Sequence, residues 1–288
     1  MRKFKQFIKK LIISITHSLS KTRVGILVGL TLFEEVSERV LKKYLMNNVK
    51  SINHNGIEMQ FSVPNQLNQF RVDSFSTKEP ETLEWIDSFS EDLILWDIGA
   101  NIGLYSIYAV KARNARVYAF EPSVFNLELL ARNCFLNQCQ KQVVIMPIAL
   151  NDTMGANQVL MTTTAWGGAL TTFGRNFGWD GKKIKTEFQF QTFGMSMDQA
   201  LDLLQLPIPD YIKMDVDGLE HFILKGGSKI LSQIRGILIE VNDNFKEQSE
   251  TCEQLLSKAG LTLIKKRHAD MFEGTKFSSI YNQIWSRS

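Results

Sequence analysis

The chain has 288 residues, 44% hydrophobic and 22% charged, with a formal net charge of +3. That is the balance of an ordinary globular protein and rules out a collagen, a coiled coil and a wholly disordered chain. The charge is unevenly divided: residues 1–50 carry eleven Lys/Arg against three Glu, and the remainder carries 22 Lys/Arg against 27 Asp/Glu. A mildly acidic body argues against a nucleic-acid partner, which would need a basic face on the folded domain. Three cysteines, Cys134, Cys139 and Cys252, form no C-x-x-C pair. No disulfide framework or zinc site is expected, and a reducing, cytoplasmic compartment fits best.

In chain order, Phe4, Ile8, Leu11, Ile15 and Leu19 fall on one stripe, with Lys3, Lys5, Lys9 and Lys10 around it. The spacing predicts a basic amphipathic helix. Such a helix suits the anionic inner face of a membrane, where each Lys/Arg contributes about 1 kcal/mol, so residues 1–23 are expected to make peripheral membrane contact. The alternative is packing against the body or a second copy. The run Leu11–Ile13 is too short for a signal peptide and Val24–Phe33 too short to span a bilayer, so no transmembrane segment is expected.

Ile57–Val63 alternates like a strand, and a loop containing Pro80 leads into a helix over Glu81–Phe89. From Leu93 onward, short apolar runs alternate with helical stretches. The expected strands are Leu93–Ile98, Ala115–Phe120, Val143–Leu150, Tyr211–Val216, Ile237–Val241, Leu261–Lys265 and Tyr281–Trp285. The expected helices are Asn101–Ala112, Phe125–Asn137, Ser196–Leu204, Leu219–Leu231 and Phe245–Ala259. That alternation predicts an α/β fold with a mostly parallel seven-stranded sheet covered by helices on both faces. Residues 151–195 break the rhythm with glycines and aromatics and read as an irregular insertion or lid. The expected division is a helical arm over 1–50, an extension over 51–92 and the principal domain over 93–288.

The first strand runs into Asp97-Ile98-Gly99-Ala100-Asn101-Ile102-Gly103. Glycines at a strand-to-helix turn let backbone approach a ligand closely. With Gly99 as first glycine, the dinucleotide pattern G-x-G-x-x-G would need glycine at 101 and 104, where Asn101 and Leu104 stand, so room for a pyrophosphate is absent. The second strand ends in Phe120-Glu121-Pro122, placing an acid where it can accept from both hydroxyls of a ribose. A ribose without a pyrophosphate indicates an adenosyl cofactor, S-adenosylmethionine (SAM). After the third strand, Asp152 is placed to meet the adenine amino group. The cofactor residues expected are therefore Asp97, Gly99, Asn101, Gly103, Glu121 and Asp152.

These motifs, with Ile212-Lys213-Met214-Asp215-Val216-Asp217-Gly218-Leu219-Glu220, resemble the FkbM family of SAM-dependent methyltransferases over roughly residues 52–285. The resemblance implies a Rossmann-like class I methyltransferase domain and O-methylation of a hydroxyl, commonly on a sugar or a polyketide. Where the family usually has Glu, this chain has Asp217, one methylene shorter.

A hydroxyl acceptor needs a group to take its proton. Asp215 and Glu240, each closing an apolar run, are the expected catalytic pair at buried, adjacent strand ends, with His268 next in line. Glu220 has a simpler reading as a helix-dipole acid, His221 as a surface or packing residue. Asp215, Asp217 and Glu240 offer oxygen ligands for a magnesium ion, which the chemistry does not require. Trp166, Phe173, Phe177 and Trp179 suit either stacking on a sugar ring or a satellite cluster. The leading expectation is O-methylation of a cell-surface glycan or its lipid-linked precursor; the alternatives are a polyketide or other small hydroxyl compound, and a non-catalytic membrane-associated scaffold.

Overall fold

The structure, a computed structural model, describes residues 10, 48–268 and 270–287. The chain divides into two compact units, Met1–Asn48 and Val49–Ser288. The amphipathic helix expected over residues 1–19 lies outside the described residues but for Lys10.

The second unit opens with an antiparallel hairpin, β1 (Val49–His54) and β2 (Ile57–Ser62). Three short helices follow: α1 (Gln66–Asp73), α2 (Phe75–Lys78) and α3 (Pro80–Asp87). Asn65 caps α1 by accepting from the Asn68 N–H at 2.8 Å, and Pro80 occupies the first turn of α3. The expected loop at Ser76–Glu81 is thus largely helical, because α2 and α3 meet almost directly.

The central elements are β3 (Ile94–Ile98), α4 (Leu104–Arg113), β4 (Arg116–Phe120), α5 (Val124–Leu136), β5 (Val143–Met146) and β6 (Ala149–Leu150). The insertion supplies β7 (Gly155–Met161), β8 (Thr171–Phe173) and β9 (Phe188–Met195). Next come α6 (Met197–Leu203), β10 (Tyr211–Met214), α7 (Glu220–Lys225), α8 (Ser228–Leu231) and β11 (Gly236–Asn242). The chain closes with α9 (Lys246–Lys258), β12 (Thr262–Arg267) and β13 (Ile280–Ser286).

Seven strands form one sheet in the order β12-β13-β11-β10-β3-β4-β5. From β11 to β5 all neighbours are parallel, while β13 runs antiparallel to both of its neighbours. This is the class I methyltransferase arrangement, an α/β fold with helices on both faces. Its period-2 alternation assigns side chains to the two faces. Leu95, Val117 and Ala119 pack with Tyr108 of α4 and Leu83 of α3. Trp96, Ile98, Tyr118 and Phe120 pack on the other face with Met197, Ile223 and Leu256. Each fully buried side chain of that size contributes roughly 1.5–3 kcal/mol.

The strand expected over Val143–Leu150 ends at Met146, with Ala149–Leu150 forming β6 of a second sheet, and two further expectations are corrected. Residues 151–195 are not irregular: β7, β8 and β9 join β6 in a four-stranded sheet of order β6-β9-β7-β8. The alternation Phe188-Gln189-Phe190-Gln191 is a strand signal that the nearby glycines obscured. The single helix expected over Leu219–Leu231 breaks into α7 and α8 at Gly226-Gly227. A Cβ at Gly226 would stand 2.6 Å from the Ser196 Cβ and one at Gly227 2.0 Å from the Met197 Cε, so the break seats the start of α6.

Candidate active site

The chain leaves β3 toward β4 on one side and returns through β10 to the other, so the carboxyl ends of β3 and β10 form a switch point. At this point Gly99 adopts φ +84°, and a Cβ there would stand 1.9 Å from the Asp215 carbonyl oxygen. Glycine is what allows the two strand ends to close together. The Gly99 and Ala100 N–H groups both donate to the Phe120 carbonyl at 3.0 Å. Asn101, at φ +50°, turns the chain so that its N–H donates to Glu121 Oε2 at 2.8 Å. The α4 helix begins only at Leu104, after Gly103 at φ +84°, where a Cβ would press on Leu130 of α5.

Glu121 is buried at the end of β4 and also accepts from the Ser123 N–H at 2.8 Å. Burial pushes its carboxyl up to about 7, against the opposing hydrogen bonds from Ser123, Asn101 and Asn126. Gly99, Asn101 and Glu121 line a cleft of about 590 Å³, whose far wall is Ile148, Ala149 and Leu150. The other expected cofactor residues lie outside that lining. Asp97 is buried beneath the turn, accepting from Ser106 Oγ at 2.5 Å. Gly103 serves the packing of α4 on α5. Asp152 turns away from the cleft to pair with Arg175 at 3.2 Å, because the Asn151 N–H is tied to the Met195 carbonyl and sends the chain toward β7. Asp152 is therefore not among the residues that line the cleft.

The insertion reaches back over this cleft. The Gly168 carbonyl accepts from Asn101 Nδ2 at 2.9 Å and Asn126 Nδ2 at 3.1 Å, and Arg71 Nε donates to the Gly167 carbonyl at 2.9 Å. Asp217 accepts the Leu170 N–H at 2.6 Å. Burial, with the Asp215 charge second, raises the Asp217 carboxyl to about 6.

A larger cavity of about 1430 Å³ adjoins the cleft and shares Gly99, Asn101, Ala169, Asp215 and Asp217 with it. Asp215 and Glu240 both line this cavity. Two details differ from expectation. The Asp215 side chain is 29% exposed rather than buried, and Glu240 lies inside β11, which continues to Asn242. Met214 and Ile239 are register partners, so Asp215 follows β10 beside Glu240. Burial first, then the nearby Asp215 charge, holds the Glu240 carboxyl well above the ordinary range.

Sequence reading missed four further groups in this cavity: Lys78, Glu79, Tyr105 and Lys213. Only Lys213 carried a signal, as a lysine inside the otherwise apolar Tyr211–Met214. Of the insertion aromatics, Trp179 lines the cavity and contacts Phe277, while Phe173 and Phe177 join a separate apolar cluster with Val159 and Met161. The Trp166 carbonyl is anchored by Asn65 and Asn68. His268 stacks on Tyr281 outside the cavity lining. Glu220 does more than favour a helix dipole: fully buried, it accepts from the Val216 N–H at 2.9 Å and from Gln248 Nε2 at 2.5 Å, bracing the loop after β10. His221 is buried against Phe222 and Phe245, and burial lowers its imidazole to about 4.

Among the described residues no group of three or more His, Cys, Asp or Glu is arranged to hold a metal ion. Asp215, Asp217 and Glu240 do not make the magnesium site that the sequence allowed. The adenosyl cofactor does fit. Asn101 Oδ1 and Thr171 Oγ1 are buried without a hydrogen-bond partner, and both residues line the cleft.

The switch-point cleft, its acid at the second strand end and the sheet order define a SAM-dependent class I methyltransferase. The sequence matches the methyltransferase FkbM domain over residues 97–267, and the chain belongs to that family. It is 24% identical over 216 residues to the hexuronic acid methyltransferase AglP of Haloferax volcanii, covering 75% of this chain and 83% of that protein. Distant structural similarity extends to P. horikoshii TYW2 in complex with MeSAdo, with TM-score 0.45 and 14% identity over 84% of this chain and 73% of that one. A precorrin-6y C5,15-methyltransferase from Geobacter metallireducens GS-15 has TM-score 0.42 and 15% identity, over 73% of this chain and 87% of that one.

Proposed function

We propose that this methyltransferase acts on a sugar hydroxyl of a glycan or its lipid-linked precursor. The observation that carries the reading is the shared edge between the two cavities, where Gly99, Asn101 and Asp215 border both. A cofactor in the smaller cleft therefore presents its reactive end toward Asp215 and Glu240. The relative that methylates a hexuronic acid supports a sugar acceptor. So does the lining of the larger cavity, where Phe70, Trp179 and Phe277 stand among Lys, Asp and Glu side chains.

Glu121 would hold the ribose hydroxyls, the Gly99–Asn101 backbone would border the methionine portion, and Ile148 and Leu150 would flank the adenine. Bound SAM supplies an electrophilic methyl group on a sulfonium sulfur. The chain's own task is then to align the acceptor oxygen and relieve it of its proton. Asp215 and Glu240 are the pair that serves this step.

The test is incubation with SAM carrying a labelled methyl group and glycans bearing neutral and uronic sugars. Label recovered as a base-stable sugar ether is the expected result. Label released by mild base would mean a carboxyl acceptor and contradict the hydroxyl reading.

A further inference from the structure

Alternation along the three central strands places Asp97 on β3, Lys213 on β10 and Glu240 on β11 on one sheet face, the face covered by α3 and α4. Lys213 and Asp97 are register partners, and Glu240 lies two residues beyond Leu238, the partner of Lys213 on the other side. The Lys213 side chain is 3% exposed, with its ammonium 3.5 Å from Asp215 Oδ2 and 5.0 Å from the centre of the Tyr105 ring. A lysine so sealed must be held by opposite charge.

We propose that Lys213 is a positioning residue for methyl transfer: from the cavity lining its ammonium holds the Asp215 carboxylate as the proton acceptor, with Glu240 beside it. The proposal rests on the reading of Asp215 and Glu240 as the acceptor-side pair and divides the work between them. The acceptor hydroxyl proton passes to an Asp215 carboxylate oxygen, and the O–H bonding pair stays on the acceptor oxygen.

The groups facing Lys213 are Asp97 from β3, Asp215 after β10, Glu240 from β11, Glu79 before α3 and Tyr105 from α4. Burial works against the charged ammonium, but Asp215, Asp97, Glu79 and Glu240 together outweigh it and hold Lys213 above its ordinary range. Glu79 is fixed as an anion at about 2: Lys78, 2.6 Å away, and Lys213 overcome its burial. Asp215 is the carboxylate paired with this buried cation, at 3.5 Å, whereas burial and the Asp215 charge raise the Glu240 carboxyl well above its ordinary range. An adjacent cation favours the ionised form of a carboxyl, so removing it shifts that carboxyl's titration upward.

The experiment compares the pH profile of kcat/KM for the wild type and Lys213→Met, with SAM affinity measured by calorimetry on the same samples. The expected result is an acid limb displaced upward by at least one pH unit, with activity partly recovered at high pH and SAM affinity within twofold. A profile of unchanged shape, merely lower or shifted only in KM, would overturn the positioning role. Asp215→Asn and Glu240→Gln separate the two readings. If both turn over near the wild-type rate, the acceptor-side pair itself is wrong. Should Lys213→Met not fold, Lys213→Arg, which keeps the cation, decides the matter by the same profile: an acid limb left in place is expected, and a limb displaced as though the cation were gone overturns the proposal.

Discussion

Glu121 concentrates the residue-scale argument. Its carboxylate takes backbone hydrogen bonds from Asn101 and Ser123 while lining the cleft, so it organises the glycine turn and borders the space proposed for the ribose. Hydrogen bonds to a charged group are worth roughly 1.5–3 kcal/mol, and Glu121→Ala should weaken SAM binding by about that amount in calorimetry. The pH dependence has a definite sign. Burial raises the carboxyl to about 7, and the ribose hydroxyls are donors that favour the ionised form. Below pH 7 a proton must leave before that form is available, so affinity should rise with pH, by at most about tenfold per unit, and level off above 7. An affinity independent of pH between 5 and 8 would contradict the assignment. On the acceptor side, Asp215→Asn should lower kcat by about 10²–10⁴-fold with little change in SAM affinity. Gly99, Asn101 and Glu121 were legible as neighbours in one cleft because they stand at adjacent strand ends. The Asp152 pairing was not legible, since it depends on Arg175, a partner 23 residues away just beyond a strand that the sequence did not reveal.

At the scale of elements, the turn after β3 and the loop 167–171 act together. A side chain at Gly99 meets the Asp215 backbone oxygen, so Gly99→Val does more than obstruct a ligand. It must displace β10 or unfold the turn, and the expected outcome is a lowered melting temperature along with lost SAM binding. The loop is held by Asp217, Asn101, Asn126 and Arg71. We expect Asp217→Ala to speed hydrogen exchange at Leu170 and Thr171 and to shorten the residence time of bound SAM, while the sheet stays protected. Exchange equal to wild type at those two amides would show that the loop is held by other contacts. The parallel strands were readable as continuous apolar runs, and α6 as part of the helix expected over Ser196–Leu204. The insertion strands were not, since their alternation is short and interrupted by glycines, and their pairing with β6 is non-local. The α7–α8 break was equally hidden: two adjacent glycines do not announce that α6 packs into the gap.

Over the whole molecule, sheet order creates the site. Reversal of the winding between β3 and β10 opens the crevice, and residues as distant in sequence as Lys78 and Glu240 meet in one cavity through it. The buried Lys213 and Glu79 of that cavity escaped sequence reading because only their three-dimensional partners explain them. No helix among the described residues is long and apolar enough to cross a membrane. The basic segment of residues 1–23 carries the remaining whole-molecule expectation. Deleting it should release the protein from anionic vesicles, with binding of the full chain falling as salt is added and SAM affinity unchanged. Full retention on vesicles after the deletion would remove the arm from that role. The measurement that tests the account most directly is a structure of the chain with SAM bound. The ribose hydroxyls should lie on Glu121 and the sulfonium methyl should emerge at the shared edge, facing Asp215 in the larger cavity. A cofactor seated away from Glu121, or a methyl group turned from Asp215 toward Leu150, would contradict it.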